Sequence, residues 1–241
     1  MEQMDDFIEQ HQKRKNRFGR PNATSTVVRD IALLGAVFKH ALKKWKAPFP
    51  NHVNPTKDTD RPRLPPHRVR RVKPHETKAL LAHMAYEEGK QPETNGQWVA
   101  WSFLFCLETA MRKGELLKAT WGELNKAERF LHLPKTKNGS HRDVPLNKRA
   151  LELLSWLAKG DDDAPIVPVN VKTFNGQIWR AKRALGIADL HFHDSRHEAT
   201  TQLARKVPTI LHLQAITGHK NLSQLQIYFN PTATEIADLL D

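Results

Sequence analysis

Four short segments of the chain carry side chains that hold anions or move protons. In TAMRKGELL, Arg112 directly follows an apolar run and Glu115 lies three residues on, one helical step along the same face. In KTKNGSHRDVPL, Lys137 stands at the turn beside the Asn138-Gly139 pair. In FHDSRHEAT, His193 and Arg196 are three apart and so share a helix face, with His197 next door. In ITGHKNLSQLQIYFN, Gly218-His219 is followed nine residues later by Tyr228, one of 2 tyrosines in the chain. A guanidinium presents a planar fork of donors to carboxylate or phosphate oxygens and stays charged at physiological pH. Imidazoles pass protons near neutrality, and a phenol, with a free pKa near 10, needs help losing its proton before it can attack anything.

Each residue also has an ordinary use. Arg112 and Arg196 could be surface ion-pair partners, Lys137 a turn lysine and Tyr228 the aromatic of a short helix. His193 and His197, four apart, have the spacing of zinc ligands. The Glu of the zinc-binding H-E-x-x-H pattern is missing, however, and Arg196 would repel a cation, so no metal is expected.

The elements that must position these groups are mostly helices. Apolar residues at 27, 31, 34, 38, 41 and 45 predict a helix capped by Thr24 or Ser25 and closed by Pro48 and Pro50. Ahead of it, the first twenty residues read as a charged lead-in. Residues 48–74 hold seven prolines among many Arg and Lys and read as an extended basic linker. Further helices are expected at 78–84, 97–109, 115–120, 148–158, 173–185, 193–206, 209–217 and 222–229. The stretch 97–109 is apolar nearly all round and should be buried. Strands are expected at 130–133 and 143–146, forming a hairpin. Trp98, Trp101, Trp121, Trp156 and Trp179 have apolar neighbours and read as core. The expected class is mainly α (α+β), with a small antiparallel sheet or hairpin and a short helical N-terminal segment.

Composition narrows the partner. At 241 residues the chain makes one large domain or two small ones. Its net charge of +12, from 38 Lys and Arg against 26 Asp and Glu, favours a polyanion, nucleic acid first. The one cysteine, Cys106, excludes a disulfide framework or a Cys-based zinc site. No run approaches the ~18 apolar residues of a membrane span. The polar N-terminus has no apolar core that could serve as a secretion signal, and none is expected. A cytoplasmic compartment is expected.

Together, in this order and at these spacings, the four segments resemble the catalytic boxes of the tyrosine recombinase (phage integrase) family. Arg112 and Glu115 match its first arginine segment. Lys137, seven residues before Val144-Pro145, matches its hairpin lysine better than Lys135 does. His193, Arg196 and His197 match its H-x-x-R-H box, and Gly218, His219 and Tyr228 its last box. The sequence departs from the family pattern at Ala110 (usually Gly), Ser195 (usually Leu) and Phe229-Asn230 (commonly Thr-His), none of which removes a catalytic group.

The resemblance implies metal-independent, cofactor-free DNA strand exchange through a 3′-phosphotyrosine. Tyr228 would be the nucleophile and Arg112 and Arg196 the phosphate clamps. His193 would accept the phenolic proton, Lys137 would protonate the 5′-oxygen, and His219 would donate to the phosphate, with Glu115 and His197 in support. Residues 67–241 would form the catalytic domain. Residues 1–66 would form a shortened core-binding segment with its linker. The implied partner is double-stranded DNA, with a homotetramer on two sites and no membrane, in a bacterial or phage-encoded protein. Ile236, Leu239 and Leu240 could dock on a neighbouring copy or cap this chain's own core. Two other readings share these residues: a truncated, recombination-deficient remnant that only binds DNA, and a type IB topoisomerase-like strand transferase.

Overall fold

The computed structural model describes residues 2–46, 53–66, 68, 70–134, 141–230 and 237. Lys137, the Asn138-Gly139 turn, Ile236, Leu239 and Leu240 lie outside the described residues. The chain divides into two compact units, Met1–Arg68 and Val69–Asp241.

In the first unit, the stretch read as a charged lead-in is instead a helix, α1 (Glu2–Lys13). The reason is visible in retrospect: Met4 and Ile8 recur at helical spacing and are both buried, and Ile8 packs with Val27 and Ile31 of α2 (Thr24–His40). Helix α2 has Ala23 at its N-cap position with no side-chain cap, and it passes into one π-helical turn at Ala41–Trp45. Trp45, expected on the buried stripe, is 67% exposed, because the change of helical pitch carries it off that stripe. Residues 53–66 form no helix or strand, as proline requires.

The second unit is built around α4 (Asn95–Thr109). Thr94 and Gln97 cap it reciprocally: the threonine hydroxyl accepts from the Gln97 amide at 3.3 Å while Gln97 Oε1 accepts from the Thr94 amide at 3.1 Å. Val99, Ala100, Trp101, Phe103, Phe105 and Cys106 are completely buried. Each large side chain so buried contributes on the order of 1.5–3 kcal/mol. The indole of Trp101 donates to the Leu153 carbonyl at 3.0 Å, which satisfies its one polar atom. Helices α6 (Lys148–Ser155), α7 (Val171–Ala184) and α8 (Asp194–Ala204) pack on α4, with α3 (Pro74–His83) alongside. Trp179, expected in the core, is 57% exposed beneath Arg183, because α7 turns Phe174 and Ala181 inward instead.

A three-stranded antiparallel sheet, β1 (Leu124–Asn125), β2 (Phe130–Leu133) and β3 (Arg142–Pro145), closes one side. Strand β1 was not foreseen, being only two residues long. Leu131 faces Val144, both fully buried, and Leu133 faces Arg142. The remaining short helices are α5 (Lys113–Leu116), α9 (Ile210–Thr217) and α10 (Ser223–Gln226). The last two form a small core of their own through Leu213 and Leu225, joined by Ala204 of α8, with Tyr228 packed at its edge.

Candidate active site

Arg196 lies in the first turn of α8 and is 3% exposed. Its guanidinium donates from Nη1 to the Ala110 carbonyl and from Nη2 to the Thr217 carbonyl, both at 2.6 Å. Both carbonyls sit where a helix ends in the left-handed conformation: Ala110 at φ 51° after α4, and Thr217 just before Gly218 at φ 66°. Helix ends expose unpaired carbonyls, and Arg196 takes up one from each. Burial, and next the charge of Arg112, push its pKa down to about 9, so it remains a cation at neutral pH.

Arg112 is the N-cap residue of α5 rather than a member of that helix. Glu115 reaches back to it, accepting from its backbone amide at 2.9 Å and from Nη1 at 2.7 Å. Glu115 is 8% exposed. Burial alone would raise its pKa, but the charge of Arg142 and the hydrogen bonds from Arg112 outweigh this and hold it below the ordinary carboxylate range. It is therefore an anion that orients cations.

Arg142, on β3, was not singled out from the sequence. It donates from Nη2 to Glu115 Oε2 at 2.8 Å and from Nη1 to the Ile216 carbonyl. Strand alternation offered the missing signal, since Arg142 has the parity of the buried Val144 and must point inward.

The histidines complete the pocket. His193, the N-cap residue of α8, lies edge-on to His197 with ring centroids 4.9 Å apart. One side of His193 faces solvent, yet the protein packed against the ring, then its electrostatic coupling to the His197 ring and the charges of Arg196 and Arg112, push its pKa down to about 4. His219 is likewise pushed down to about 4 by burial and then by Arg196, Arg112 and Arg142. Both are neutral imidazoles at pH 7. The Thr217 hydroxyl donates its single proton to the Leu213 carbonyl at 2.7 Å, so it must accept from His219 Nδ1 at 2.7 Å. That assigns the tautomer: His219 Nε2 is bare and faces Arg196 Nη2 at 3.5 Å.

Tyr228 brings its hydroxyl to Nδ1 of His197 within hydrogen-bonding distance. Burial raises its pKa, and Arg196 is close enough for its charge to oppose that rise. His193, expected to take the phenolic proton, stands one ring further back, and His197 holds the contact position. The structure thus brings together Arg112, Glu115, His193, Arg196, His197, His219 and Tyr228. A second cluster that sequence reasoning missed lies behind α8: Glu198 accepts from Arg71 at 2.6 and 2.7 Å, from the Val72 amide at 3.1 Å and from Gln202 at 2.9 Å.

Comparison with known proteins places the chain in a family. Residues 70–235 match the family model described as the phage integrase family. A candidate integrase/recombinase of Haemophilus influenzae is 34% identical over 224 residues, covering 90% of this chain and 70% of that protein. The shufflon-specific DNA recombinase of Escherichia coli is 32% identical over 235 residues, covering 93% of this chain and 56% of that protein. Among solved structures, the Tn1549 transposon integrase in complex with circular intermediate DNA superposes with a TM-score of 0.64 at 16% identity, covering 100% of this chain and 91% of that one. The chain belongs to the phage integrase family of tyrosine recombinases. It spans little more than half the length of the shufflon recombinase that it matches.

Proposed function

We propose that the protein is a site-specific DNA recombinase that cuts and rejoins strands through a covalent 3′-phosphotyrosine. The observation that carries this reading is the Tyr228 hydroxyl held by His197 in the pocket of Arg196 and Arg112. Tyr228 Oη attacks the scissile phosphorus, its proton passes to His197 Nδ1, and the 5′-oxygen leaves with a proton from Lys137. Phosphotyrosine retains the bond energy, so the reverse attack by a 5′-hydroxyl reseals the strand with no nucleotide cofactor.

The arginines stabilise the charge that grows on the non-bridging oxygens, each such preorganised donor contributing on the order of 3 kcal/mol. Bound phosphate also offsets the cationic field that lowers His219. Its Nε2 then takes up a proton and donates to the anion. Double-stranded DNA is the partner, supported by the +12 charge. The functional assembly is a homotetramer on two sites, working in the cytoplasm of a bacterium. Among the described residues no helix is long and apolar enough to cross a membrane.

The test is a duplex selected by the wild-type protein from randomised DNA and nicked next to the mapped scission point. Wild type should become covalently attached, in EDTA as well as without it, and Tyr228→Phe should not. An adduct with the Phe variant, or dependence on a divalent metal, would contradict the proposal.

A further inference from the structure

Arg142 makes two hydrogen bonds that the chemistry described so far does not use. Its side chain is 8% exposed, and its Nε is buried with no hydrogen-bond partner among the described residues. It lies against Gly218: a Cβ built there would fall 2.7 Å from Arg142 Cδ and 2.9 Å from Nε. A buried guanidinium left partly unsatisfied is costly, so the contacts it does make have to be strong. Those contacts are Glu115 Oε2 and the carbonyl of Ile216, three residues before His219.

The division of the Glu115 carboxylate shows what this arrangement does. Oε1 takes one nitrogen of Arg112, and Oε2 takes Arg142 together with the Arg112 backbone amide. Arg112 therefore spends one arm of its fork on Glu115 and keeps the rest for a phosphate. A carboxylate in this buried position with a single cation beside it would draw both arms of that fork, since bidentate pairing is the stronger geometry.

We infer that Arg142 is a positioning residue for strand cleavage: by occupying the second oxygen of Glu115 it keeps Arg112 available to the scissile phosphate, and through the Ile216 carbonyl it ties β3 to the turn that carries His219. The inference rests on the phosphotyrosine reading of the same pocket.

The test is a cycle of Arg142→Met, Glu115→Gln and the double variant, with Arg142→Lys alongside. One readout is the rate of adduct formation at saturating selected duplex. The other is the NMR response of the Arg112 guanidinium to inorganic phosphate, which requires no cleavage. Arg142→Met should slow adduct formation roughly ten-fold and weaken the phosphate response by a similar factor, with the double variant recovering most of both losses because the carboxylate no longer competes.

A purely structural Arg142 would give losses that multiply in the double variant; that result, or a wild-type phosphate response in Arg142→Met, overturns the inference. If the Met variant does not fold, Arg142→Lys carries the test, with slowed reaction at unchanged melting temperature supporting the inference and a wild-type rate overturning it. Failure of the wild-type protein to form an adduct would refute the phosphotyrosine reading, while the Arg112 phosphate response would still decide the role of Arg142.

Discussion

The hydroxyl of Tyr228 meets Nδ1 of His197 across thirty-one residues of sequence, with the two rings 6.0 Å apart and nearly parallel. In the proposed reaction, the group that must lose a proton and a group able to receive it are therefore already in contact. His197→Phe, which keeps a ring and removes the acceptor, should lower the rate of adduct formation by roughly 10²-fold, the usual contribution of a positioned general base. His193→Gln should cost less. Quenched-flow measurement on the nicked duplex separates the two, and equal losses would assign the proton to the pair rather than to His197.

Proton uptake should also shape stability. His193 and His219 have folded pKa values of about 4 against 6.5 for a free imidazole. Below pH 6.5 the unfolded chain takes up protons that the folded chain refuses. Stability is therefore complete above that pH and declines as pH falls toward 4, levelling off below. Solvent on the open side of His193 blunts its share, so the half-buried His219 should dominate. Thermal melts between pH 7 and pH 4.5 should show the decline, and His219→Gln should flatten it.

Gly218 has two reasons to lack a side chain. Its φ of 66° is left-handed, and any Cβ would collide with Arg142. Gly218→Ala should destabilise the protein by roughly 1–3 kcal/mol and displace His219. A variant with an unchanged denaturation midpoint would overturn both reasons, since the left-handed strain remains even if Arg142 moves aside.

Glu198 depends on Arg71 for two of its hydrogen bonds and is 5% exposed. Arg71→Ala leaves a buried carboxylate short of donors and should cost about 1–3 kcal/mol. Urea denaturation measures this directly. Glu198→Gln should be milder, because an amide needs less compensation than a charge.

Much of this was readable in the chain itself. The stretch 97–109, apolar nearly all round, read as a buried helix, and the spacing of His193, Arg196 and His197 put them on one helical turn. The pocket's supporting bonds were harder to see because they join distant residues. Arg142 finds Glu115 twenty-seven residues back and Ile216 seventy-four residues on, and the expected strand began one residue after it, at 143. Helix α1 was hidden by its charge, since two buried side chains suffice to dock it. Trp179 was misplaced because apolar neighbours in sequence do not fix which side of an amphipathic helix a residue occupies. The departure at Ala110 has a clear physical meaning: the left-handed end of α4 favours glycine, and alanine occupies it at some strain.

On the proposed reading, Arg196 has a double duty that bears on how knockouts are interpreted. Its two bonds to the Ala110 and Thr217 carbonyls rivet the ends of α4 and α9, so truncating it loosens the scaffold along with the chemistry. An inactive alanine variant would confound these two losses. Lysine in its place keeps the charge but cannot span both acceptors, so it would separate the rivet from the cation.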